Sequence, residues 1–224
     1  MVVLTVCVNY AEELKKTLPR FDNYEVLVIS DKKDTATKEV VENNNQTLFT
    51  TNVFYENGAS FNKGGAMAEA YELYIRDTAE WVCVFDADIL MPKQWDENLN
   101  LQIGNLYGSP RYQANNIQDE YSQELQKIND PEKAMPGYFW IFHETDENIP
   151  KYPMPVFTSW QHAGNYDTVF KDRWKEENRI NLDLNLVHLG VPAVNWWGRG
   201  NIKAMQEMKK NRKKYKGYKH EVII

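Results

Sequence analysis

The sequence predicts an α/β fold in three layers, α/β/α, with helices on both faces of a mostly parallel central sheet. Two observations carry this. Over the first ninety residues strand-like and helix-like patterns alternate in the βαβαβαβ order that a parallel sheet requires. The clearest apolar run, Trp81-Val82-Cys83-Val84-Phe85, then stops abruptly in two carboxylates, Asp86-Ala87-Asp88, shortly before Pro92. A short run rich in aromatic and β-branched residues reads as a buried strand. The carboxyl end of such a strand is where open α/β sheets bind ligands.

The elements follow in order. Residues 2–8 read as a first strand and 11–18 as a short helix. Glu25-Val26-Leu27-Val28-Ile29-Ser30 is a second strand, and 34–44 a polar helix. Asn52-Val53-Phe54-Tyr55 has the composition of a third short strand. The best helix is 63–79, with Ala66, Ala70, Leu73 and Tyr74 at helical spacing and Asn62 as its cap. The strand 81–85 follows. The second half changes character. Strands are expected over 106–112, 137–143 and 184–189, with a polar helix over 116–130 and another helix over 165–178. Residues 144–155 hold three prolines and several acids and read as a loop.

At 224 residues the chain can bury one sizeable core. We expect one domain over 1–202 and a basic tail over 203–224. The tail carries eight basic residues between Lys203 and Lys219 against one acid, Glu207, so the rest is more acidic than the net charge of −6 suggests. Such a tail can meet an anionic membrane surface, nucleic acid or the protein's own acidic body. Cys7 and Cys83 lie in apolar runs without metal-type spacing. They read as reduced core thiols, consistent with a cytoplasmic protein. The apolar N-terminus has no basic leader and reads as a strand, not a signal peptide.

Chemistry concentrates at the strand exits. Two carboxylates at Asp86 and Asp88 are costly unless a positive partner compensates them. A divalent cation held against a diphosphate is the natural one. Asn9 and Asp31 lie just past strand ends, where they can serve a nucleobase or ribose, or simply make turns. Asn62, Lys63, Gly64 and Gly65 open a helix, a place that favours an anion. Asn195-Trp196-Trp197-Gly198-Arg199-Gly200 reads as a loop in which Arg199 can reach a diphosphate.

Together these segments resemble, in order and over roughly residues 1–92, the glycosyltransferase A fold, a Rossmann-like architecture. Within it they resemble the large inverting family that uses nucleotide-diphosphate sugars. The carriers are Asn9 before a helix opening with Glu-Leu, Asp31 after the second strand, Asn62-Lys63-Gly64, and Asp86-Ala87-Asp88. The resemblance implies a nucleotide-binding half (1–92) and an acceptor-shaping half (93–202). It implies a metal, Mn²⁺ or Mg²⁺, on Asp88 and Asp86. It adds a late histidine, for which His188 is the candidate and His143 and His162 are rivals. Imidazole favours Mn²⁺. It implies donor contacts from Asn9, Asp31, Asn62, Lys63, Asp86 and Arg199, and a catalytic base at Asp167, with Asp172 and Glu144 as alternates. Tyr166 stands where the family has Glu. The Gln-x-x-Arg-Trp motif of processive members is absent, which implies one sugar per event, from a donor expected to be UDP-linked. The acceptor is open: glycan, lipid-linked sugar, protein or modified nucleic acid. A cytoplasmic site of action is expected, peripheral to a membrane if the tail binds one, or in a host cytoplasm for a viral protein. Three alternatives are weighed: a haloacid-dehalogenase-like phosphohydrolase, whose nucleophile strand also ends in Asp-x-Asp, a nucleotidyltransferase on a related fold, whose Gly-rich signature after the first strand is missing here, and an inactive nucleotide-sugar-binding module.

Overall fold

The structure is a computed structural model that describes residues 1–58, 61–78, 80–114, 126–127, 135–149, 156–157, 170–189 and 222–223. The chain opens with β1 (Val2–Val6), α1 (Ala11–Thr17) and a 3₁₀ turn, Leu18–Phe21. Then come β2 (Val26–Asp31), α2 (Thr35–Asn43) and β3 (Thr47–Thr51). A second 3₁₀ turn, Val53–Gly58, leads to α3 (Lys63–Tyr74), β4 (Trp81–Asp86) and β5 (Ile89–Leu90). The rest consists of short strands: β6 (Leu106–Gly108), β7 (Arg111–Gln113), β8 (Gln126–Lys127), β9 (Phe139–His143), β10 (Val156–Phe157), β11 (Arg179–Asn181), β12 (Leu186–His188) and β13 (Val222–Ile223).

Seven strands form the main sheet in the order β11-β6-β9-β4-β1-β2-β3. The block β3-β2-β1-β4 is parallel, as expected from the alternation of the first ninety residues. Beyond β4 the sheet becomes mixed, because β9 runs antiparallel to both β4 and β6. A second sheet has the order β5-β12-β7-β8, and β10 pairs with β13.

Side-chain parity builds the layers. Val82 and Val84 of β4, Leu4 and Val6 of β1, and Trp140 and Phe142 of β9 face α3, against Met67, Ala70 and Tyr71. Cys83 and Phe85, with Val3, Phe139 and Ile141, face the other way, against Leu14, Phe21 and Val41. Phe170 stacks on Trp140 at 4.6 Å and, with Trp174, covers the α3 side of β9. Each such fully buried ring contributes about 1.5–3 kcal/mol, which suffices to fix that segment to the sheet.

Several sequence expectations need correction. The third strand is Thr47–Thr51, not 52–55. Residues 53–58 are a 3₁₀ turn whose first N–H, on Val53, donates to Thr51 Oγ1 at 3.1 Å. Phe54 is apolar because it is wholly buried and stacked on Phe61. Helix α3 ends at Tyr74 rather than 79: the Arg76 N–H turns back to the Tyr71 carbonyl, and Asp77 takes a left-handed φ of 64°. The run 106–112 is split at Ser109–Pro110 into β6 and β7, which belong to different sheets. Proline has no N–H to continue the ladder. Of the polar helix expected over 116–130, only 126–127 are described, and they are strand β8. Of 165–178, residues 170–171 are helical and 176–178 form a 3₁₀ turn.

Candidate active site

In the main sheet β1 lies between β2 and β4, so the chain runs to one side of β1 and then crosses to the other. The crevice outside the carboxyl ends of β1 and β4 is therefore the topological switch point, the general ligand site of such sheets. Asn9 stands at one lip of it and Asp86-Ala87-Asp88 at the other.

The Asp86-Ala87-Asp88 backbone is held at each residue by a different element. The Asp86 N–H donates to the Tyr138 carbonyl at 2.8 Å. The Thr17 hydroxyl, at the end of α1, donates to the Ala87 carbonyl at 2.9 Å. The Leu189 N–H donates to the Asp88 carbonyl at 2.8 Å. Carboxylates so fixed lose little freedom when a ligand binds.

Asp86 shares the parity of Val82 and Val84 and so faces α3, whose first residue is Lys63. Lys63 Nζ donates to Asp86 Oδ1 at 2.5 Å and to the Gly137 carbonyl at 3.3 Å. The lysine is almost completely buried, whereas Asp86 is 36% exposed. A sequestered ammonium needs a counter-charge, and Asp86 supplies it with one edge still open to the crevice.

The start of α3 is not the open anion cradle expected from Asn62-Lys63-Gly64-Gly65. Asn62 Oδ1 accepts the Gly65 N–H at 2.9 Å, the Ala66 N–H goes to the Asn62 carbonyl, and the Lys63 N–H goes to the Phe61 carbonyl. A Cβ on Gly65 would fall 2.5 Å from the Asn62 amide, so this glycine makes room for the cap. These donors are spent on the helix itself.

Asp88 meets His188. The second sheet makes this contact: β12 runs antiparallel to β5 with His188 opposite Ile89, next to Asp88. His188 Nε2 lies 3.1 Å from Asp88 Oδ2, and both side chains are largely buried. On the far side of the ring, Nδ1 lies 2.8 Å from Gln113 Oε1. Glu13 on α1 adds to the local acidity. Its carboxyl is pushed above the usual carboxylate range, first by burial and further by the charges of Asp88 and Glu12, against a lowering backbone hydrogen bond. Folding therefore favours protonated Glu13. That stabilisation is full below the unfolded carboxyl's range and is lost as pH rises through the folded one. Glu13→Gln is expected to raise Tm at neutral pH in chelator-treated protein, with the gain vanishing in acid. Thermal melts across pH check this.

The remaining sequence candidates sort plainly. Asn9 is exposed, with a left-handed φ of 61°, and its N–H donates to Asp34 Oδ2 at 2.7 Å. Asp34, which sequence reasoning passed over, also caps α2 through Thr37 and so joins the β1 exit to that helix. Asp31 Oδ1 accepts the Lys33 N–H at 2.9 Å, a turn contact. The rival His143 pairs with Trp81 at the opposite, amino end of β4, so it is no part of this site. Glu144 is at that end too, accepting the Asp77 N–H. Asp172 is paired with Lys171 and Arg179 beside the outermost strand. Asp167, Arg199, His162 and the tail over 203–221 lie outside the described residues.

Among the described residues, no three His, Cys, Asp or Glu side chains converge on one point. Asp86, the expected third member, is turned to Lys63. The Asp88–His188 pair nevertheless has the donor chemistry of a borderline metal such as Mn²⁺: one carboxylate oxygen and one imidazole nitrogen, the latter with an outer hydrogen-bond partner. Among the described residues no helix is long and apolar enough to cross a membrane.

No family model and no curated protein sequence matches the chain. Solved structures do. Glucosyl-3-phosphoglycerate synthase from Mycobacterium tuberculosis, in complex with Mn²⁺, UDP and glucosyl-3-phosphoglycerate, superposes with a TM-score of 0.56 at 12% identity, over 94% of this chain and 78% of that one. Mannosyl-3-phosphoglycerate synthase from Rubrobacter xylanophilus gives 0.55 at 12% identity, over 98% and 76%. A mannosyltransferase from Pyrobaculum calidifontis, in complex with GDP-Man and Mn²⁺, gives 0.54 at 14% identity, over 98% and 65%. At such identities the likeness concerns architecture. The largely parallel central sheet, its strand order and these neighbours agree: the chain has the glycosyltransferase A fold.

Proposed function

We propose that this protein is a metal-dependent glycosyltransferase that moves one sugar from a nucleotide-diphosphate donor, UDP-linked, to an acceptor hydroxyl with inversion. The observation that carries the reading is the Asp88–His188 pair at the carboxyl end of β4, beside the switch point. Support comes from the fold neighbours, two of which hold Mn²⁺ with UDP or GDP-Man.

Asp88 Oδ2 and His188 Nε2 would hold the Mn²⁺, with Mg²⁺ the weaker match to imidazole. When bound, the ion supplies positive charge against the leaving nucleoside diphosphate. Asp86, braced by Lys63, would turn its open edge to the ribose. Asn9 and Asp31, at the exits of β1 and β2, would line the nucleoside end. Arg199 would meet the diphosphate. Asp167 would take the proton from the acceptor hydroxyl as it attacks the anomeric carbon from the face opposite the diphosphate. Both cysteines are buried thiols, and burial holds Cys83 far above the usual thiol range. Such thiols suit the cytoplasmic setting that we include in the proposal.

A panel of UDP- and GDP-sugars tests the reading, with donor hydrolysis and thermal shift followed with and without Mn²⁺. Metal-dependent hydrolysis, or a metal-dependent rise in Tm, is expected. Release of phosphate from simple monoesters, or indifference to metal, would overturn it. Asp167→Asn is expected to lower transfer by about 10²–10⁴-fold with donor affinity intact, the range for loss of a general base. Paired turnover and titration measurements check that split.

A further inference from the structure

The contact on the outer side of His188 decides which of its nitrogens can act. Gln113 is almost wholly buried, on β7, in register with His188 on β12. Its amide nitrogen lies 2.8 Å from the Ala114 carbonyl and 3.0 Å from the His188 carbonyl. Both neighbours are pure acceptors, so the orientation of the amide is determined: Nε2 donates to them and Oε1 points the other way. That oxygen, an obligate acceptor, lies 2.8 Å from His188 Nδ1. This contact, the shorter of the two that the ring makes, is a hydrogen bond only with a proton on Nδ1. In the neutral ring, Nε2 is then left with a lone pair directed at Asp88 Oδ2, 3.1 Å away.

We infer that Gln113 is a positioning residue that holds His188 in its Nδ1–H tautomer and so presents Nε2, paired with Asp88, as a ligand atom. The inference rests on the proposed metal role of Asp88 and His188, but its core, the tautomer, stands apart from it. Without Gln113 the preference reverses. Nδ1 loses its acceptor, while Asp88 Oδ2 becomes the natural acceptor for a proton on Nε2. The proton then occupies the place a cation would take. A partner that orients a ligating histidine is worth about 10–100-fold in metal affinity.

The test reads the tautomer directly, in the full metal-free chain. Long-range ¹H–¹⁵N correlation of the imidazoles, in buffer alkaline enough for neutral rings, distinguishes protonated from bare ring nitrogens. With four histidines in the sequence, His188→Gln identifies the signal. The wild type is expected to show Nδ1 protonated and Nε2 bare, and Gln113→Leu is expected to move the proton to Nε2. Gln113→Glu keeps an acceptor toward Nδ1 and is expected to keep the wild-type tautomer. A wild-type His188 protonated on Nε2 would overturn the inference even if every variant failed to fold. So would an unchanged tautomer in folded Gln113→Leu. Free Mn²⁺, followed by electron paramagnetic resonance, supplies the second readout, with a loss of about 10–100-fold expected in Gln113→Leu. If the wild type shows the expected tautomer and yet binds no Mn²⁺, the metal reading falls and the positioning role stands.

Discussion

Asp88→Asn is expected to abolish Mn²⁺-dependent donor binding, to lower turnover by roughly 10²–10³-fold, and to leave the metal-free protein at least as stable as the wild type. The two halves have one cause. In the Nδ1–H tautomer inferred above, the lone pair of a neutral His188 Nε2 is directed at Asp88 Oδ2, 3.1 Å away. Asp88 is 10% exposed at its side chain, so its charge is little screened by water. An amide in place of the carboxylate can turn its NH₂ toward a bare Nε2 and donate a hydrogen bond there. The same change removes the charge that would hold a cation. Loss of function with no loss of stability is expected of a residue that serves a ligand rather than the fold. Mn²⁺ titration, donor hydrolysis and a thermal melt in chelator check it. A variant that melts several degrees below the wild type would show that Asp88 is a structural partner of an imidazolium instead. Asp88→Ala, which removes the carboxylate without adding a donor, is expected to lose metal-dependent binding equally.

The contrast between Asp86 and Asp88 shows what the sequence could and could not disclose. The strand ending in Asp-Ala-Asp was legible from local pattern alone, as were β1, β2 and the cap of α3, because each depends on neighbours a few residues away. The pairing of Asp86 with Lys63 was legible in principle. Counting by two along β4 from Val82 puts Asp86 on the α3 face, and Lys63 is the first residue of α3. The contact of Asp88 with His188 was not. It depends on a second sheet made of strands two and three residues long, joined across gaps of 75 to 100 positions. No periodicity can be read from two residues. Gln113 carried no signal at all: a glutamine in a short polar-flanked strand becomes meaningful only when its register with His188 is known. The misplaced third strand has a related cause. Phe54 and its neighbours look like a strand because they are buried, but a 3₁₀ turn buries them just as well.

The largest effect on stability is expected far from this site, at Asp146. Residues 144–155 read as a loop rich in acids, yet Asp146 is 2% exposed. Its Oδ2 accepts the Gly104 N–H at 2.9 Å and the indole N–H of Trp174 at 3.1 Å. Its Oδ1 accepts the N–H of Asn148 at 2.9 Å and that residue's side-chain amide at 2.8 Å. One carboxylate thus joins the turn before β6, the turn after β9 and the Trp174 segment. Gly104 reaches it from a left-handed φ of 98°, a conformation a side chain would resist. Removing the acceptor leaves the buried Trp174 indole N–H unpaired at about 1–3 kcal/mol, and adds the loss of three part-buried hydrogen bonds at about 0.5–1.5 kcal/mol each, less whatever entering water recovers. Asp146→Ala is therefore expected to cost about 3–5 kcal/mol, a large share of the roughly 5–15 kcal/mol that holds a domain folded. Asp146→Asn should recover part of this, since its one oxygen can serve one pair of donors while its NH₂ opposes the other. Chemical denaturation of the two variants checks the ranking: alanine the less stable, asparagine intermediate, and wild type highest. Equal stability of alanine and wild type would show that solvent satisfies these donors. Because Trp174 and Phe170 cover β9 at the edge of β4, the alanine variant is also expected to weaken donor binding only in proportion to its unfolded fraction, unlike either Asp88 substitution.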